Sequence, residues 1–250
     1  MNKIAVFGAS GRTGKLFTEL ALKHGYEVKA LVRDPSRSDL RHSNLQVIQG
    51  DIADTIKVEE TVKATEAVIV LISVAKGSPE TKGAKNPLSM VINLITPAKG
   101  SPPNLRQMAD LQRTATRNIL SAMQQNHVER LIVVGSLPGD LVAGILDPND
   151  EPRFMNKWFI NKFTIFIAKN LFGEMVEAER DYVDLIKHSP LRWTLVRAPT
   201  LSDQPSKGNY RVGYLDADTG RVASRADVAA FLLDVLMKGK YVRETPLISS

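Results

Sequence analysis

The sequence predicts an α/β fold, a doubly wound parallel sheet with helices on both faces, formed as a single domain over residues 1–250 with two insertions. Three observations predict it. Short apolar runs rich in β-branched residues alternate with segments of helical periodicity, the first strand runs into a glycine-built turn, and 250 residues is within the size of one large α/β domain. With 43% apolar and 24% charged residues, the chain has enough apolar side chains for a sizeable core, which excludes a disordered or fibrous protein.

Residues 3–7 (KIAVF) form the first apolar run, stopped by Gly8. Residues 14–24 then place Leu16, Phe17, Leu20, Ala21 and His24 at helical spacing, and Gly25 is the C-cap candidate. Strands are expected at 26–32 (YEVKALV), 45–49 (LQVIQ) and 67–73 (AVIVLIS), each separated by enough chain for a crossover. A helix at about 106–125 has Leu111, Ala115, Ile119, Ala122 and Met123 on one face, and strands follow at 130–135 and 192–198. Strands alternating with helices in this way imply a parallel sheet. The last helix, about 225–238, has Ser224 as N-cap with Asp227 three residues on, an acidic variant of the capping box.

Two insertions, about 75–104 and 139–172, interrupt the rhythm and are expected to form a lid or substrate region. The first is dense in Gly, Pro, Ser and Lys and holds AKGSP twice, at 75–79 and 98–102; a loop of this length is functional or mobile, or else a plain surface insertion. The second includes 154–172, with five of the eight phenylalanines and Trp158, an aromatic stripe that suits core or a dimer face as well as a substrate wall.

The net charge of +6 is uneven: residues 1–125 carry 17 Lys/Arg against 11 Asp/Glu, and residues 126–250 carry 16 of each. No Lys/Arg run tracks a nucleic-acid backbone, so the excess suits a phosphate-bearing small molecule and no nucleic-acid partner is expected. The absence of cysteine excludes a disulfide framework, a thiolate metal site and a cysteine nucleophile. His24, His42, His127 and His188 are too scattered for a metal pair, so no metal is expected. The apolar stretch at 4–7 is too short for a secretory signal, and Lys157, Lys162 and Lys169 interrupt the most apolar later segment. A cytoplasmic protein without a membrane span, monomeric or homodimeric, is expected.

The chemistry lies in Gly8-Ala9-Ser10-Gly11-Arg12-Thr13-Gly14, a G-x-x-G-x-x-G pattern between a strand and a helix. A dinucleotide's diphosphate approaches the backbone closely at such a helix start, where N–H groups and the helix dipole favour negative charge. Glycine leaves room for that approach and for helix packing on the strand. Gly8, Ser10, Gly11, Arg12, Thr13 and Gly14 are therefore the expected cofactor-binding residues. The end of the second strand selects the cofactor, because an acidic residue there binds ribose hydroxyls whereas arginine holds a 2′-phosphate. Val32-Arg33-Asp34-Pro35-Ser36-Arg37 offers both; Arg33 comes first and Arg37 and Arg12 can converge on that corner, which favours NADPH over NADH.

These residues resemble the atypical short-chain dehydrogenase/reductase family, in particular its NmrA-like NAD(P)H-binding members similar to flavin reductase and biliverdin reductase B. The resemblance runs through GASGRTG, GYEVKALVRDPSR, VIQGDIAD, AVIVLIS, ATRNILSAM, VERLIVVGS, LRWTLVRAPTL and SRADVAAFLL, and is poorest in the two insertions. It implies a Rossmann-like domain in which Asp51 and Ile52 lie against the adenine. It also implies that Ser73 passes under a cofactor ribose and that Pro199 flanks the nicotinamide.

Many members of the wider family use a Tyr-x-x-x-Lys pair as proton donor, the lysine lowering the tyrosine pKa. The matching positions here are Met175 and Glu179, and Tyr182 is followed four residues later by Ile186. Ser136 matches the family's serine and could hydrogen-bond a substrate carbonyl or a flavin, or simply close a turn. The expectation is therefore an NADPH-dependent oxidoreductase acting on a flavin, quinone or similar conjugated acceptor, with Ser136 and Glu179 as candidate catalytic residues. The alternative is a non-catalytic redox sensor that binds the dinucleotide and acts through a protein partner, followed by an epimerase or dehydratase.

Overall fold

The computed structural model describes residues 2–37, 39–72, 105–136, 181–198, 200–206, 208–213 and 222–250. The first half runs β1 (Lys3–Phe7), α1 (Arg12–Lys23), β2 (Glu27–Val32), a 3-10 turn (Pro35–Arg37), β3 (Leu45–Gln49), α2 (Thr55–Val62), β4 (Ala67–Val70) and α3 (Leu105–Gln125). The second half runs β5 (Arg130–Ser136), helical residues 181–187, β6 (Arg192–Ala198), β7 (Thr200–Ser202), β8 (Arg211–Gly213), β9 (Val222–Ser224), α4 (Arg225–Lys238) and β10 (Leu247–Ser249). The insertion expected at 75–104 lies outside the described residues, as does 139–172.

The main sheet has the order β3-β2-β1-β4-β5-β6-β10-β8, parallel except where β8 pairs antiparallel with β10. The fold is Rossmann-like: the chain winds outward from β1 to β3, then returns to β4 on the other side of β1 and continues to β6. Alternate side chains of each central strand enter opposite layers. Ile4 and Val6 of β1 pack with Phe17 and Ala21 of α1 and with Val228, Phe231 and Leu232 of α4. Ala5 and Phe7 pack on the other face with Val58 of α2, Ile119 and Met123 of α3, and Tyr182 and Ile186. Both faces are covered, which is why the central strands read as continuous apolar runs rather than as alternating ones.

Local signals account for the helix ends. At the end of α1, Gly25 has φ +83°, with the Tyr26 N–H donating to the Ala21 carbonyl at 3.1 Å and the Gly25 N–H to Leu22 at 3.0 Å. α1 begins at Arg12 rather than at residue 14, so the glycine motif itself makes the first helical turn. β4 stops at Val70, short of the expected strand, although the Leu71 N–H still donates to the Phe7 carbonyl of β1 at 2.8 Å; Ser73, the last residue of that expected strand, lies outside the described residues. α2 is absent from the sequence reading because its eight residues, TIKVEETV, are too few and too β-branched to show periodicity. Its tertiary context and a cap specify it, the Asp54 carboxylate accepting from the Ile56 and Lys57 N–H groups at 3.0 and 3.2 Å.

Candidate dinucleotide-binding site

The strand order reverses between β1 and β4, which makes the carboxyl ends of these strands the switch point where open α/β sheets bind their ligands. Gly8 follows β1 there with φ +93°, and a Cβ on it would lie 2.7 Å from the Leu71 carbonyl oxygen just past β4. The Gly11 N–H donates to the Gly8 carbonyl at 3.0 Å and closes the turn. A Cβ on Gly14 would lie 2.0 Å from the same Gly8 oxygen, so the first turn of α1 presses directly on the loop. Gly11 precedes α1 and has no side chain to cap it, and the first helical turn contains no acidic residue. Ser10, Gly11 and Arg12 are exposed and Thr13 is half-buried. A helix start without a side-chain cap, over a turn that a Cβ would fill, fits the diphosphate of a dinucleotide.

At the end of β2, Arg33 is exposed. The Asp34 carboxylate instead turns into its own loop, accepting from the Ser36 N–H at 3.0 Å and the Ser36 hydroxyl at 2.6 Å. Arg37 lies in the 3-10 turn that this cap starts. Sequence reasoning missed Lys15, whose Nζ donates to Asp39 at 2.6 Å and ties this loop to α1. The hydrogen bond with Asp39 raises the Lys15 pKa, and the same bond holds the Asp39 carboxyl below its ordinary range. Lys15 follows Gly14 directly, but nothing in the spacing shows a partner 24 residues on.

Asp51 accepts from the Ala53 N–H at 2.9 Å, and Ile52 is 8% exposed, packed into the layer that contains α3. Asn118 of α3, another residue missed from sequence, donates Nδ2 to the Ile52 and Ala53 carbonyls at 3.0 and 3.2 Å and so positions this loop. Ser136 is the last residue of β5, in register with Ala198 of β6. Beside it, a Cβ on Gly135 would meet Tyr182 Oη at 2.8 Å and Arg197 Nη1 at 2.9 Å, so glycine makes room there for two buried polar side chains. Ser73, Glu179 and Pro199 lie outside the described residues.

Arg12 Nη1 donates to Asp203 at 2.8 Å, linking the glycine turn to the segment after β7. Among the described residues no group of three or more His, Cys, Asp and Glu could hold a metal, and no helix is long and apolar enough to cross a membrane. A separate cleft of about 890 Å³, lined by Arg117, His127, Asp184 and His188 among others, lies near the amino ends of β5 and β6, at the opposite end of the sheet from the glycine turn.

The parallel sheet, its switch point and the glycine turn together define a Rossmann-like dinucleotide-binding protein. Residues 8–238 match the model of an NAD(P)H-binding family, and the chain belongs to that family. It is 26% identical over 243 residues to an uncharacterized chloroplastic protein of Arabidopsis thaliana, covering 94% of this chain and 72% of that one. It is 23% identical over 259 residues to cinnamoyl-CoA reductase 1 of Petunia hybrida, covering 97% and 69%. Among solved structures, a candidate NADH-flavin reductase from Streptococcus pneumoniae superposes with a TM-score of 0.64 at 22% identity over the whole of both chains. A short-chain dehydrogenase/reductase from Veillonella parvula in complex with NADP has a TM-score of 0.63 at 17% identity, covering 100% of this chain and 94% of that one.

Proposed function

We propose that the protein is an NADPH-dependent oxidoreductase that passes hydride to a flavin, a quinone or a similar conjugated acceptor. The end of β2 carries the cofactor preference. Arg33 is exposed there while Asp34, the residue that would bind ribose hydroxyls in an NADH enzyme, is hydrogen-bonded into its own turn. In this reading Gly8, Ser10, Gly11, Arg12, Thr13 and Gly14 hold the diphosphate, and Arg33 and Arg37 hold the 2′-phosphate. Asp51 and Ile52 flank the adenine, Ser73 the ribose and Pro199 the nicotinamide. The bound nicotinamide supplies the hydride. With Met175 and Glu179 in place of a Tyr-x-x-x-Lys pair, the reading favours acceptors that take their proton from water. Ser136 hydrogen-bonds the acceptor and Glu179 relays protons. The likeness to a candidate NADH-flavin reductase supports the acceptor class, and a cytoplasmic location completes the reading.

The test is titration of the purified protein with NADPH and NADH, followed by absorbance at the reduced-nicotinamide band with flavin mononucleotide, riboflavin and simple quinones. NADPH oxidation that depends on an acceptor is expected; tight binding without oxidation by any of the panel refutes the reductase and favours a redox sensor acting through a protein partner. Arg33→Ala should weaken NADPH binding by about 1–3 kcal/mol, the range for charge-assisted hydrogen bonds, and leave NADH nearly unchanged. Equal weakening of both removes the basis for the preference.

A further inference from the structure

Asp203, just past β7, accepts from two arginines, one on each carboxylate oxygen: Arg12 at 2.8 Å and Arg225 at 2.7 Å. Each arginine is the first residue of a helix, Arg12 of α1 and Arg225 of α4, and the two helices contribute to the same buried layer on one face of the sheet. Asp203 is therefore an anion at two positive helix ends, held by two guanidinium groups.

The two contacts differ in their surroundings. The Arg225 side chain is 10% exposed, and a second bond, from Ser206 Oγ to Asp227 at 2.5 Å, fastens the same segment to α4. The Arg12 side chain is 63% exposed, so solvent screens its pair with Asp203 and a competing anion can displace it. Arg12 also belongs to the glycine turn, where the helix start favours a diphosphate.

We propose that Asp203 is an internal competitor for the cofactor's diphosphate. In the free protein it holds Arg12; dinucleotide binding takes Arg12 away, while Arg225 and the Ser206–Asp227 bond keep 203–206 on α4. Two effects act in one direction, because binding must break an ion pair and because a carboxylate beside the diphosphate repels it. Asp203 therefore lowers affinity for NADP(H) and NAD(H) alike, since the diphosphate is common to both. That distinguishes it from Arg33, whose effect is confined to the 2′-phosphate.

The experiment is calorimetric titration of NADP+ and NAD+ into the wild type, Asp203→Asn, Arg12→Gln and the double variant. Asp203→Asn should tighten both nucleotides by roughly two- to fivefold, the range of an exposed ion pair. Arg12→Gln should weaken both, and in its background Asp203→Asn should tighten binding less than in the wild type, because the repulsion remains but the ion pair is gone. Unchanged or weaker binding to Asp203→Asn overturns the proposal, as does equal tightening in the Arg12→Gln background, which would report only the loss of a negative charge. Asp203→Asn also takes the carboxylate from the nearly buried Arg225, so the wild type supplies an independent measurement. The ¹⁵N guanidinium signal of Arg12, assigned with Arg12→Lys, should move on adding NADP+ while that of Arg225 stays; movement of neither or of both counts against the proposal. The inference rests on dinucleotide binding at α1 and not on hydride transfer. Failure to reduce any acceptor leaves it standing, whereas a wild type that binds neither nucleotide overturns it together with the functional reading.

Discussion

A single methyl group at position 14 would lie 2.0 Å from the Gly8 carbonyl oxygen, a separation that no backbone tolerates without moving α1 off its turn. Gly14→Ala should therefore cost about 1–3 kcal/mol of stability, in the range of overpacked sites, and lower dinucleotide affinity at least tenfold, read by urea unfolding and by titration with NADP+. Gly25→Ala is the control. Its φ of +83° strains any side chain, yet nothing lies within 4 Å of the added Cβ, so it should lose about 1–2 kcal/mol and leave binding unchanged. Equal losses of binding in both would mean that the glycine turn has no special part in holding the cofactor. The glycine pattern of the turn and Gly25 as a helix stop are both legible in sequence, but only the geometry separates a crowded glycine such as Gly14 from a merely left-handed one such as Gly25. The same holds at the end of β2, where Arg33 and Asp34 stand side by side in sequence and the Ser36 bonds decide which one the turn consumes.

At the scale of elements, the start of α4 shows how far a local motif carries. Ser224 is the expected N-cap, its Oγ accepting from the Asp227 N–H at 3.0 Å. The reciprocal half of a capping box is absent, because the short Asp227 side chain bonds the Ser224 hydroxyl at 2.8 Å while the Ser224 N–H donates to Ser250 Oγ at 3.0 Å. Ser224→Ala should cost about 1–2 kcal/mol, since it removes the cap and one donor from the fully buried Asp227. Thermal unfolding against the wild type checks this, and a change within error would show that the cap contributes nothing. β7 to β10 have three residues each, too few for a period of two to register, and they form only because neighbouring strands complete their hydrogen bonds.

For the whole molecule, the glycine turn joins β1 to α1, and α1 shares one buried layer with α4 and the central strands, so a ligand held on that turn is linked to the core. NADP+ at 100 times its dissociation constant should raise the unfolding free energy by about 2.7 kcal/mol if it binds only the folded chain. Differential scanning calorimetry at rising nucleotide concentration measures the effect; a midpoint that stays fixed up to that concentration would contradict binding to the folded state. Arg33→Ala should need more NADP+ for the same rise, because only its affinity changes.

The strand and helix rhythm, the glycine turn, Gly25 as helix stop and Ser224 as cap were determined by the sequence itself, because each depends on side chains within a few residues of one another and on periods of 2 or 3.6. The order of strands with its switch point between β1 and β4, the support of the Ile52 loop by Asn118, 66 residues away, and the bond from Arg12 to Asp203, 191 residues away, were decided only by tertiary structure. These contacts depend on where packing brings distant backbone together, and neither composition nor spacing encodes that convergence locally.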